Sequence, residues 1–220
     1  QQHGLLEKLQ QVAPAAAHVA LYIGLKGSPQ SLQLPQHNYW LFPDNYNHDA
    51  SQAAYTDIDA PLPVTYLSFP SAKDPDWNKR YPDKSTIEAI TLVPYDWFKQ
   101  WEATDWHKRG ESYDQLKEKI AQQLLEQLYK VEPQVKGYVD YYELSTPLST
   151  RKFANYQHGE IYGLAHTPNR FRQRFLRPQT PVKGLWLTGQ DVLIAGVGGA
   201  LMGGMLTASA IMKKNVFNLF

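Results

Sequence analysis

The residues best suited to chemistry lie near the C-terminal end, in the run from Gly184 to Gly204 (GLWLTGQDVLIAGVGGALMGG). Asp191 comes just after Leu185-Trp186-Leu187-Thr188, which reads as a short apolar strand. A carboxylate past a strand end is placed to accept a sugar or polyol hydroxyl. The glycines that follow let backbone approach a flat ligand closely. The helix expected next offers unpaired N–H groups and the positive end of its dipole. This combination suits a planar ring that gains negative charge, as the pyrimidine end of a reduced flavin does.

Plainer readings of the same run compete. Val192 to Met212 carries no charged residue and contains Gly199-xxx-Gly203, so on length it could be a membrane-spanning helix. Its clustered glycines and the strand-like stretch before it argue against that. It could also be a buried structural helix with Leu201, Met205, Ala208 and Met212 in a core. A nucleotide-binding loop fails, because Leu201 stands where G-x-G-x-x-G needs its third glycine.

Other polar clusters are less specific. His158-Gly159-Glu160 with His166 matches no metal-ligand spacing, so no metal is expected. His158 and Tyr162 are candidate general acids, the alternative being a histidine that steadies a turn. Arg170, Arg172, Arg174 and Arg177, interleaved with Phe171 and Phe175, could face phosphate or a membrane headgroup; the default is a solvated loop or an interdomain contact. Trp97, Phe98, Trp101 and Trp106 read either as core or as a surface that meets a membrane or admits substrate. No G-x-S-x-G elbow is present.

The elements that must position these residues follow from periodicity. Strands are expected at 18–25, 38–42, 64–69, 86–93 and 138–144, the second closed by a turn at Pro43-Asp44-Asn45. Tyr113, Leu116, Ile120, Leu124, Leu128 and Val131 mark an amphipathic helix that ends before Pro133. Ser71 to Ser85 reads as a long loop. The fold class is α+β to α/β: a sheet with a long helix in residues 1–155, then a strand–turn–helix in 156–220. The 220 residues hold 22 Lys+Arg against 21 Asp+Glu, a net charge of +1, which argues against a dedicated nucleic-acid partner. With 0 Cys, disulfides and thiol catalysis are excluded. Aromatic residues at 13% suit an apolar ligand site or a large interface. The opening Gln1-Gln2-His3-Gly4 lacks Met and a secretory signal, so the chain is expected to start mid-protein and to be cytoplasmic or peripherally membrane-bound.

The segment 188–204 resembles the C-terminal flavin-binding segment of the phytoene desaturase, carotenoid isomerase and retinol saturase superfamily. Phe69-Pro-Ser-Ala-Lys-Asp-Pro-Asp76-Trp, with Arg80-Tyr-Pro and Ser85-Thr86, is similar to its retinol saturase branch. Leu34-Pro-x-x-Asn38-Tyr and His158-Gly-Glu-Ile-Tyr-Gly163 also resemble the wider group. The likeness runs over roughly residues 20–215. It implies an FAD-dependent oxidoreductase acting on a hydrophobic polyene, with NAD(P)H a possible electron donor. The family opens with a βαβ unit bearing G-x-G-x-x-G, and no such unit is present, so the resemblance implies a C-terminal portion whose partner is the missing FAD-binding unit. Asp191 would meet the ribityl chain, and Gly198, Gly199 and Ala200 the ring; Gly189 would make the turn, with Gln190 beside it. The strands at 62–69, 86–94 and 138–144 would wall a tunnel, and 156–220 would complete a Rossmann-like FAD domain. The alternative is a non-catalytic module that binds a hydrophobic ligand or a partner, oligomers included, without flavin.

Overall fold

A computed structural model describes residues 4–43 and 47–219, so the expected turn at Asp44 and Asn45 lies outside the described residues. In chain order the elements are α1 (Leu5–Leu9), β1 (Ala17–Lys26), β2 (Tyr39–Leu41), α2 (His48–Ala53), β3 (Thr65–Ser68), α3 (Pro70–Lys73) and α4 (Trp77–Arg80). Then follow β4 (Lys84–Val93), α5 (Glu111–Val131), β5 (Val139–Ser145), α6 (Pro147–Ala154), α7 (Pro168–Phe171) and α8 (Gly196–Met212). Two compact units form: Ala17–Gly159, and the stretch up to Ala16 together with Glu160 onward.

The first unit is built on one antiparallel sheet in the order β2-β3-β4-β1-β5, which makes the fold α+β. β1 and β4 are the long central pair, in register from Ala17 opposite Val93 to Lys26 opposite Lys84. Side chains alternate across a strand, so β-branched and aliphatic residues at every second position share a face. Val19, Leu21, Ile23 and Leu25 of β1 and Ile87, Ala89 and Val93 of β4 are buried on that face. The apolar stripe of α5, with Ile120, Ala121, Leu124, Leu125 and Leu128 buried, joins the same core. Fully burying one such aliphatic side chain contributes about 1.5–3 kcal/mol. α5 starts after Gly110, whose φ of 85° few other residues adopt, and stops at Glu132, ahead of Pro133.

The opposite face of the sheet differs. Trp40 pairs with Tyr66, Tyr66 with Ile90, and Ile90 with Ala20, giving an apolar row across four strands. At about 4.8 Å per strand the row is roughly 14 Å long. The rings of Trp40 and Tyr66 lie 4.8 Å apart, and Trp40 is 63% exposed.

One expectation changes, and one of two open readings is borne out. The 71–85 stretch is not a plain loop: it holds α3 and α4, and Ser71 Oγ donates to Thr86 O (3.1 Å) while accepting from Thr86 N–H (2.9 Å). The tryptophan cluster divides: Trp97 packs half-buried against the core, and Trp106 is half-buried against the exposed Phe153. Phe98 and Trp101 are buried, and both rings pack edge-on to Tyr113 of α5. Two short 3-10 turns after β4 bring them there, where spacing alone leaves the direction open.

His18, on the outer side of β1, gives Gly159 O a hydrogen bond, while its Nδ1 has no partner among the described residues. Burial holds its pKa below the ordinary imidazole value of about 6.5. The unfolded chain therefore takes up this proton first as pH falls. Stability from His18 is complete above about pH 6.5 and declines below it. His18→Gln should flatten that part of the curve in urea unfolding measured from pH 7.5 to 5; an unchanged slope would refute the assignment.

Candidate cofactor site

The C-terminal unit places its polar groups on one loop and the helix after it. Gly189 (φ 85°) turns the chain, and Gly196 (φ 92°) opens α8. Residues 199, 203 and 207 are four apart and form one stripe along α8. A Cβ on Gly199 would lie 2.0 Å from Ile194 O, and one on Gly203 would lie 2.4 Å from Gly189 O. The helix therefore rests directly on loop backbone. Thr207 locks the stripe, its hydroxyl donating to Leu187 O (2.8 Å) and Gly203 O (2.9 Å). Gly198 sits apart from this packing: it is exposed, and a Cβ there would meet nothing within 4 Å. Val197 beside it is 89% exposed. The glycine run thus divides into positions needed for packing and a position open to a ligand.

Asp191 is half-buried, and its Oδ1 accepts the N–H of Leu164 (2.9 Å). Gly163 (φ 68°) lies so close that a Cβ would fall 2.4 Å from the same oxygen. Oδ2 takes no hydrogen bond among the described residues and stays available to a hydroxyl. Gln190 Oε1 accepts the N–H of Gly196 (3.4 Å), tying the loop to the helix start. Ala200 is half-buried one residue beyond Gly199. All six expected cofactor residues, Gly189, Gln190, Asp191, Gly198, Gly199 and Ala200, fall in this one unit. Tyr162, 47% exposed, precedes Gly163 and so sits in sequence beside the group that abuts Asp191. His158 belongs to the other unit, where its ring meets Tyr95 edge-on at 5.6 Å.

Three residues of the site are missed by sequence reasoning. Arg170, expected in a solvated basic loop, is 2% exposed. It donates to the carbonyls of Leu164 (3.0 Å), Gln190 (2.8 Å) and Leu193 (3.3 Å). Its Nη1 lies 3.0 and 3.1 Å from the two ring nitrogens of His166, a position over the ring and not along either lone pair. His166 Nε2 accepts the N–H of Ala195 (2.7 Å), the residue before α8. Gly163 is the third, and its close approach to Asp191 has no local sequence signal. Among the described residues, no cluster of His, Asp and Glu gathers as a metal ion would require.

Among the described residues the expected strand at 185–188 forms one bridge, Gln179 with Trp186. A strand needs a neighbour, and the one facing stretch lies between Pro178 and Pro181, which lack the N–H a ladder uses. No helix among the described residues is long and apolar enough to cross a membrane. The loop thus offers an open position at Gly198 and an Asp191 oxygen that takes no hydrogen bond among the described residues.

No family model matches the chain. It is 32% identical over 225 residues to the human all-trans-retinol 13,14-reductase, an alignment that covers 98% of this chain and 36% of that protein. It is 34% identical over 206 residues to the all-trans-retinol 13,14-reductase of Danio rerio, with coverage of 90% and 34%. A second Danio rerio protein, named as an inactive all-trans-retinol 13,14-reductase, is 34% identical over 219 residues, with coverage of 94% and 35%. The chain spans about a third of the length of the curated relatives it matches.

The two kinds of glycine should separate in a stability measurement. Gly199→Ala forces the helix off the loop and should cost about 1–3 kcal/mol or more. Gly198→Ala meets open space and should be neutral, or stabilising by up to about 1 kcal/mol through helix propensity. Chemical unfolding of both variants checks this, and equal losses would contradict the division.

Proposed function

The chain is a homologue of the all-trans-retinol 13,14-reductases, and from that premise we propose that it is the C-terminal portion of an FAD-dependent oxidoreductase that acts on the double bonds of a retinoid polyene. The observation that carries the reading is similarity over nearly the whole chain, joined to a loop whose open positions suit a flavin. Gly198 and the free oxygen of Asp191 contact the ring and ribityl end, and the 160–220 region completes a Rossmann-like FAD domain. The pyrophosphate and adenosine are held by residues that this chain does not supply. In the sheet unit, the apolar row of Trp40, Tyr66 and Ile90 is the candidate surface for a polyene, since burying a conjugated chain against aromatic and aliphatic side chains removes both from water.

Bound flavin supplies a hydride equivalent that water or a simple side chain cannot. The chain's own part is to orient the cofactor, exclude water and deliver a proton. Saturating one carbon–carbon double bond takes two electrons and two protons, with NAD(P)H the proposed electron source. Tyr162 is the favoured proton donor of the two candidates, because it sits in the same unit as the cofactor loop. Association with a membrane surface would give access to an insoluble substrate.

A second reading has its own support. Percent identity to a relative named inactive, 34%, matches that to those named reductases. A non-catalytic module that binds a hydrophobic ligand or a partner is therefore the alternative.

In the native protein that contains these residues, all-trans-retinol with NADPH should lose one double bond, seen as a blue shift of the polyene absorption. Asp191→Ala should lower flavin content, and Tyr162→Phe should slow turnover about 10²-fold or more with flavin content kept. Retinoid bound but unchanged by the unaltered, flavin-loaded protein would favour the alternative.

A further inference from the structure

Arg170 is buried, and no carboxylate pairs with it among the described residues. Burying an ion costs several kcal/mol unless its donors are satisfied. Here backbone carbonyls do this, and two of them, Gln190 O and Leu193 O, belong to the loop ahead of α8. A trans peptide unit is planar, so its C=O and N–H point in opposite directions. Drawing the Gln190 and Leu193 carbonyls onto one guanidinium turns the N–H groups of Asp191 and Ile194 the other way. Neither N–H has an acceptor among the described residues. The neighbouring Val192 and Leu193 N–H groups are used inside the turn, by Gly189 O and Gln190 O, and Ala195 N–H is held by His166. Two donors of the loop are thus left outward, and Arg170 fixes which two.

We propose that Arg170 is a positioning residue for the cofactor site: by anchoring the Gln190 and Leu193 carbonyls it presents the Asp191 and Ile194 N–H groups to the electron-rich edge of a bound flavin. This rests on the flavin reading above. A fixed pair of donors stabilises charge that grows on a ring, without reorganisation when it grows. It therefore favours reduced over oxidised cofactor. Lysine keeps the charge but not the planar fork, so it cannot hold three carbonyls in this geometry. Glutamine keeps donors and loses the charge.

The test uses the native protein that contains these residues, as Arg170→Lys and Arg170→Gln variants. Amide hydrogen exchange without flavin reads the loop, and a redox titration with FAD reads its consequence. Exchange should quicken over 189–196 and stay unchanged in the sheet unit. The preference for reduced FAD should fall about tenfold, which is a midpoint potential lower by about 30 mV. Unchanged exchange over 189–196, exchange that rises over the whole chain, or a potential that stays at the unaltered value would overturn the proposal. If the unaltered protein takes up no FAD, the flavin reading fails, while local exchange still decides whether Arg170 orients the loop.

Discussion

The C-terminal unit depends on a contact in which no side chain intervenes. Gly199 and Gly203 put the axis of α8 close enough to the loop that a single methyl at either position would overlap a carbonyl oxygen. Close packing of this kind leaves little room for adjustment. It fixes where the helix begins and the direction in which Gly198 and Val197 face. It also holds Gly189 O and Ile194 O against the helix, so the loop between them has few conformations left. Arg170 and His166 then settle the remaining peptide orientations from the other side. Asp191 is held by a different device, the N–H of Leu164 and the bare Cα of Gly163. Three constraints, two of them sharing Leu164, therefore act on seven loop residues. Catalytic and binding sites gain from supports that leave the contact groups free but immobile.

The sheet unit solves a different problem. One face is committed to a core with α5 and needs only apolar residues at alternate positions. The other face is free to carry specificity, and it carries a mixed pattern. The row Trp40, Tyr66, Ile90 and Ala20 is apolar, while the next row across β4, β1 and β5 is Glu88, Tyr22 and Glu143. Burial and the nearby Glu88 carboxylate both raise the Tyr22 hydroxyl above its ordinary pKa, so Tyr22 stays protonated and can donate. The apolar strip is thus edged by acidic and hydroxyl groups.

Much of this was legible in the sequence, for definite reasons. β1, β4 and α5 were readable because period-two and period-3.6 patterns record burial on one face directly. The 189–204 loop stood out because glycines cluster beside a carboxylate, and its cofactor role is the proposal made above. What stayed hidden depends on contacts between distant positions. Arg170 sits among other arginines and looks like a solvated loop, since nothing local says that three carbonyls converge on it. Gly199 and Gly198 are neighbours of the same type, yet one is required by packing and the other is not. Leu185 to Thr188 has strand composition, but composition cannot supply a neighbouring strand. For Phe98 and Trp101 core was the favoured reading from residue type, and the 3-10 turns set their direction.

The measurement that reaches the central claim most directly is a visible absorption spectrum of the native protein containing this chain, taken after saturation with FAD and removal of the excess. Retained flavin near one per protein is expected, with Gly198→Leu losing it while the fold survives, because a bulky side chain would occupy the open ground in front of the loop. Full flavin retention in Gly198→Leu, or none in the unaltered protein, would contradict the assignment of this loop to the cofactor.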